Sequence, residues 1–458
     1  MKTIKHIIII LILAIVQYLL VSCEKLIEVD LPENQIGSQQ VFEDVGTANS
    51  ALAGLYAGLW DNSPLAGDQS GSLLSIYTDE MDFFALNSNP GMAEIFQNQQ
   101  IDSNSSIANY WTNAYQKIYQ ANAIIEGSEK SSSLPTMEKN RIKGEALLVR
   151  SVLYFYLNQL FGDIPYVIST DYQINKNISK TNGLEMLNKL ENDLTTTVSL
   201  LTDQYRSPER IIPNRKVAQL VLAKILVLEK KYADAEILLK QINSSSLYQF
   251  QPDISKVFKK NNSGVLWQLK PLNQGQATKE SVLYFFSNTA PPSYALSSSL
   301  INSFLPTDLR RQQWIASVSA SGQTWYRVEK YKNKTDNPDE YSVVFRLEEV
   351  LLLLAETLAS QGKIDEALPY LNATRLRAAL SPISQPINQQ NILNEILMEN
   401  KREFFTEMGH RFFDLKKAQK LDTLVPTKPN WKNFHQKWPL PQKELLLNSN
   451  LKPQNSGY

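Results

Sequence analysis

Apolar residues recur at three- and four-residue spacing over long stretches of this chain, and that period commits most of it to helices packed through one face. From about Val45, Ala48, Ala51, Leu52, Leu55, Tyr56 and Leu59 follow the pattern, and Asp61-Asn62-Ser63-Pro64 ends it. Tyr110, Trp111, Ala114, Tyr115, Ile118, Tyr119 and Asn122 predict a helix over about 107–127. Ala146, Leu147, Val149, Arg150, Leu153, Tyr154 and Leu157 predict another over about 136–160. Phe161-Gly162-Asp163-Ile164-Pro165 stops it, because glycine suits a helix end and proline cannot continue one. Ala223 and Ala235 stand 12 residues apart, as do Ala355 and Ala367. Small residues at that spacing let two antiparallel helices approach closely. The chain reads as mainly α.

Two regions break the pattern. Residues 67–105 are rich in Gly, Ser, Asn and Gln, with Tyr77, Phe83, Phe84 and Phe96 among them, and read as surface loops with short helical turns. Residues 241–340 carry Val265-Leu266-Trp267-Gln268-Leu269, a candidate short strand, and Tyr284-Phe285-Phe286, Ala290-Pro291-Pro292 and Trp325-Tyr326. Irregular insertions that bear aromatics are where binding sites usually lie.

Composition excludes several functions. Lys plus Arg and Asp plus Glu are equal at 46 each, so there is no electrostatic footprint for nucleic acid. The histidines are His6, His410 and His435, too few for a multi-His metal site, and a His-based triad is equally disfavoured. No metal and no cofactor is expected. The lone cysteine, Cys23, leaves no intrachain disulfide.

Residues 1–22 read as an export signal, with Lys2 and Lys5 at the start and an apolar run from Ile7 to Val21 that is short for a membrane span. Leu20-Val21-Ser22-Cys23 resembles a bacterial lipobox, where the signal is cut before a cysteine that is then lipidated. Val21 is bulkier than the usual residue there. Residues 23–40 then form a tether, and 41–458 a single domain: a helical scaffold over 41–240 and 341–458 with a loop-rich insertion at 241–340.

The alanine pairs resemble the tetratricopeptide helix hairpin, but their separation along the chain rules out a tandem array. The whole chain resembles the SusD/RagB family of Bacteroidetes lipoproteins, on motifs in that family's order. Cys23-Glu24-Lys25 with Asp30 resembles the mature start. Ala121-Asn122-Ala123-Ile124-Ile125 and Gly144-Glu145-Ala146-Leu147-Leu148-Val149-Arg150 lead to Phe161-Gly162-Asp163-Ile164-Pro165. Arg346-Leu347-Glu348-Glu349-Val350, Leu371-Asn372-Ala373-Thr374-Arg375 and Arg402-Glu403-Phe404 follow, the last with Glu407, Gly409, Arg411 and Asp414. Pro439-Leu440-Pro441-Gln442 and Gln454-Asn455-Ser456-Gly457-Tyr458 close the chain. Val149 and Ser456 depart from the family's usual residues.

The resemblance implies a cell-surface, lipid-anchored protein of the outer membrane that captures oligosaccharide and passes it to a SusC-like TonB-dependent barrel, without catalysis. Peptide ligands in the same role, or a protein-binding scaffold, are the alternatives. The family's ligand residues carry no motif. Composition selects Trp60, Asp79, Glu80, Phe83 and Phe84 in the early loops and Tyr284, Tyr294, Trp314 and Trp325 in the insertion, because flat rings beside polar groups suit sugars. Trp111 and Trp267 read as core. Glu399, Arg402, Glu403, Glu407, Arg411 and Asp414, like Glu145 with Arg150 and Arg346 with Glu349, read as structural ion pairs along helices.

Overall fold

The computed structural model describes residues 4–8 and 40–458. Nearly all of the leader, Cys23 and the tether lie outside the described residues. Among those described, no helix is long and apolar enough to cross a membrane.

The helices are α1 (Val45–Asp61), α2 (Ser70–Tyr77), α3 (Pro90–Phe96), α4 (Ser105–Lys130), α5 (Thr136–Phe161), α6 (Gly183–Leu200), α7 (Arg215–Leu228), α8 (Tyr232–Asn243), α9 (Leu347–Ser360), α10 (Ile364–Arg377), α11 (Gln389–Phe404) and α12 (His410–Lys417), with shorter turns between them. From α4 to α10 each packs on the next, and α9 also meets α11. Their starts follow the capping rules: Asp44, Asn104 and Asn214 accept backbone N–H bonds from the first turns of α1, α4 and α7. Ala223, Ala235, Ala355 and Ala367 are wholly buried in α7, α8, α9 and α10, so the hairpins close as the spacing required. The apolar core runs from Phe42 to Leu451 and draws on both ends of the described chain.

The insertion is held at its base by β4 (Val265–Leu269) paired antiparallel with β8 (Ser342–Arg346), both buried. Trp267 packs against Phe345 there, with ring centroids 6.1 Å apart. Above this base lie β5 (Tyr294–Leu296) and the hairpin of β6 (Ile315–Ala320) and β7 (Gln323–Val328). β1 (Met81–Phe83), from the N-terminal third, pairs antiparallel with β5 and so joins the insertion to the scaffold. A two-residue pair, β2 (Ile164–Pro165) with β3 (Lys180–Thr181), follows α5.

The stretch around α2 differs from its polar composition. Residues 70–77, Ser-Gly-Ser-Leu-Leu-Ser-Ile-Tyr, are buried throughout. Small side chains there permit close contact: a Cβ on Gly71 would lie 2.4 Å from the carbonyl oxygen of Thr406. Gly409 is under a related constraint. Its φ is +76°, and a Cβ would meet Leu74 Cδ1 at 2.2 Å. Gly409→Ala is therefore expected to destabilise by about 1–3 kcal/mol, read by urea denaturation. An unchanged midpoint would show that the turn relaxes freely.

Candidate functional site

Most of the expected ligand contacts are core. Trp60 and Trp314 are each 1% exposed, and Trp314 spends its Nε1–H on the carbonyl of Ile254 at 3.1 Å. Trp60 lies near the end of α1 rather than in a loop. Phe83, Tyr284 and Tyr294 are buried together: Tyr294 lies 5.2 Å from Phe83 and 5.8 Å from Tyr284, centroid to centroid. None of these five rings offers a face to a ligand. The strongest apolar residues of irregular segments are the ones that anchor those segments, so burial claims them first.

Asp79 and Glu80 are buried as well, and serve as anchors rather than as ligand contacts. Asp79 accepts from Arg411 Nε at 2.8 Å, Lys401 Nζ at 2.7 Å and Ser299 Oγ at 2.9 Å. Burial opposes its charge, but the Arg411 guanidinium and the Lys401 ammonium together hold the carboxyl well below its ordinary range. Glu80 accepts from Ser75 Oγ at 2.7 Å and from the Thr406 amide at 3.3 Å. Here burial wins and raises the carboxyl. These bonds tie the segment before β1 to α11, α12 and the turn between them.

The ion pairs expected along single helices run between elements instead. Glu403 and Glu407 bind Arg346 at 2.6 and 2.8 Å, Glu399 binds Arg310 at 2.7 Å, and Arg411 binds Asp79. Arg150 reaches Asp193 at 2.9 Å, Glu145 reaches Arg206 at 2.8 Å, and Glu349 reaches Lys224. Arg402 with Glu399, at 3.8 Å, stays within one helix.

What remains outside lies where two small sheets, β1 with β5 and β6 with β7, meet at β5. In β1 successive side chains alternate, so Asp82 and Phe84 point away from buried Met81 and Phe83. The Phe84 amide extends the pairing, donating to the Ser293 carbonyl at 2.8 Å. Asp82 stands opposite Ala295 on β5. Ala295 clusters with Phe286 and Val318, and Trp325 packs on that cluster from β7. Arg327 follows Trp325 on the same side of β7. It donates to the Phe286 carbonyl and, at 2.6 Å through Nε, to Glu329. Its guanidinium lies 4.5 Å from the Phe285 ring centroid, and the Lys334 ammonium 3.2 Å. Phe84 is 43% exposed, and Trp325 is half-buried.

Of the nine residues expected from composition, Phe84 and Trp325 belong to this face. Sequence reading missed Asp82, Phe285, Arg327 and Lys334. The alternation Met81-Asp82-Phe83-Phe84 held a usable signal, since one apolar residue out of phase in a short strand marks an exposed ring. Phe285 had none, because its neighbours Tyr284 and Phe286 are equally aromatic and buried. Asp82 is half-buried, and burial raises its carboxyl, partly offset by the Lys428 charge. Rings, a carboxylate and cations on one face can stack and hydrogen-bond a polyhydroxylated ligand. Among the described residues no group of His, Cys, Asp and Glu could hold a metal ion.

Comparison with known proteins agrees with this architecture. Residues 34–227 match the family described as "Starch-binding associating with outer membrane", and residues 312–458 match the SusD family. SusD-like protein P2 of Formosa agariphila is 26% identical, over 94% of this chain and 96% of its own. A SusD superfamily protein of Bacteroides vulgatus superposes with a TM-score of 0.80 at 22% identity, covering 91% of this chain and 99% of its own. A surface glycan-binding protein A of Bacteroides thetaiotaomicron, solved in complex with laminarihexaose, gives 0.75 at 17% identity, covering 90% and 99%. Two profiles at the two ends, full-length relatives and the shared helical fold agree, and the chain belongs to the SusD/RagB family of outer-membrane-associated binding proteins, which are not enzymes.

Proposed function

We propose that this protein is a cell-surface receptor that captures oligosaccharide on the face of Asp82, Phe84, Phe285, Trp325 and Arg327 and delivers it to a SusC-like TonB-dependent barrel. The observation that carries the ligand class is the grouping of exposed and half-buried rings with a carboxylate on β1 and a guanidinium on β7, two strands that both pack on β5, in a fold shared with a protein solved with laminarihexaose. Ring faces take the C–H side of a sugar, and Asp82 and Arg327 take its hydroxyls. Trp325→Ala and Phe84→Ala are each expected to weaken binding of the best ligand from a glycan panel by about 1–3 kcal/mol in titration calorimetry. Unchanged affinity in both variants would move the site off this face. Binding of peptides and of no glycan would assign the same role to peptide import.

The membrane anchor belongs to the same proposal. An acyl chain on Cys23 would hold the protein to the bilayer at about 0.8 kcal/mol per buried methylene. Cys23→Ala is expected to abolish labelling by radioactive palmitate and to release the protein from outer-membrane fractions. A variant that stays labelled and bound would refute the anchor. Delivery is tested by purifying the tagged protein from detergent-solubilised outer membranes: a co-purifying TonB-dependent barrel supports it, and a protein recovered alone counts against it.

A further inference from the structure

A second cleft lies on the helical scaffold, away from the insertion. It holds about 1200 Å³ of empty space between the end of α7, the end of α9, α11 and α12. Its apolar lining is mainly aliphatic, from Val227, Leu228, Leu393, Ile396 and Leu397, with Tyr232 the one ring among the lining residues. Lys230, Lys416 and Lys420 stand around it. Lys416 donates to the Gln159 carbonyl and Lys420 to Asn394 Oδ1, and none of the three meets a carboxylate among the described residues. Burial, with the Lys437 charge adding, pushes Lys416 down to about 7, the mark of an ammonium that lacks a counter-ion. The carboxylates of the cleft, Glu356 and Asp414, are both engaged by Lys417, at 2.6 and 3.5 Å. The cleft is thus left with a positive excess.

The geometry points to this cleft as a docking site for an extended acidic peptide segment of a partner protein, with its carboxylates on Lys230, Lys416 and Lys420 and its aliphatic side chains on the apolar lining. A mainly aliphatic lining, with one ring, favours a peptide over a sugar, which would stack on several. Nothing in this assignment depends on the glycan-binding face.

The test is fluorescence anisotropy with the full chain and a labelled, end-blocked peptide alternating Glu and Leu. Saturable binding is expected. It should weaken about tenfold in the Lys416→Met/Lys420→Met variant, since a hydrogen bond to a charged group is worth that much or more. Lys230→Glu, on an exposed turn away from packing, should weaken it in the same direction. The Gln-for-Glu peptide should fail to bind, and Trp325→Ala should bind as the parent does. Equal binding of the Gln peptide, or affinity unchanged by the lysine substitutions, would overturn the proposal. So would an oligogalacturonate that binds at these lysines while the peptide does not, which would make the occupant an acidic sugar.

Discussion

Arg346→Ala is expected to lower the stability of the folded chain by about 3–5 kcal/mol, because it removes a shared counter-charge from carboxylates that have little access to water. The Arg346 guanidinium is 1% exposed. It holds Glu403 Oε1 at 2.6 Å and Glu407 at 2.8 and 2.9 Å. Arg377 bridges Glu348 and Glu403, and Arg310 binds Asp308, Glu399 and Glu403, at 2.9, 2.7 and 3.1 Å. Burial opposes the charge on Glu403 and Glu407, and the neighbouring cations outweigh it and keep both carboxyls below their ordinary range. Without Arg346, Glu403 keeps only Arg377 and Arg310 and Glu407 keeps only Lys330, so both lose the cation they share in a site where burial opposes their charge. Lys130→Ala at the exposed Lys130–Glu126 pair, where the lysine is 78% exposed, is the control and should cost less than about 1 kcal/mol. Urea denaturation of the three proteins decides it: similar losses in both variants would mean that the buried network contributes no more than a surface pair.

Trp438→Ala is expected to cost a similar amount, about 3–5 kcal/mol, for a different reason. Trp438 is wholly buried, and Tyr110, Tyr77 and Phe161 meet its ring edge-on at 5.7, 5.8 and 6.0 Å. Its amide donates to the Leu160 carbonyl at 2.7 Å, so the residue also fixes the C-terminal segment to the end of α5. Truncation removes the transfer free energy of the ring and leaves a cavity that four elements cannot all collapse into. Trp438→Phe should recover part of the loss, and calorimetric melting compares the two. An alanine variant that melts within a few degrees of the parent would show that the aromatic cluster repacks.

The helices were legible where one face is buried, because a half-buried helix writes its period into the sequence. The expected 107–127 and 136–160 lie inside the observed Ser105–Lys130 and Thr136–Phe161. The buried residues 70–77 carry no such period, since every side of α2 is covered. The ion-pair partners were illegible for a related reason. Glu403 and Arg346 are far apart in the chain, and local spacing suggests only neighbours on the same helix. The candidate face was half legible. Composition pointed to segments that supply the candidate face, with Phe84 and Trp325 among them. It could not separate an exposed ring from an anchoring one, because that depends on strand phase and on the pairing of β1 with β5.

The bonds from Asp79 to Lys401 and Arg411 have a consequence for the order of assembly. A chain made from its N-terminus holds residue 79 long before residues 401 and 411 exist. Until then Asp79 lacks the two cations that make its burial tolerable, and until residues 294–296 exist β1 also lacks β5, its only strand partner among the described residues. The segment that carries Asp82 and Phe84 is therefore completed late, after nearly the whole polypeptide has emerged. A truncated or stalled chain can build the early helices and still leave the candidate face unfinished.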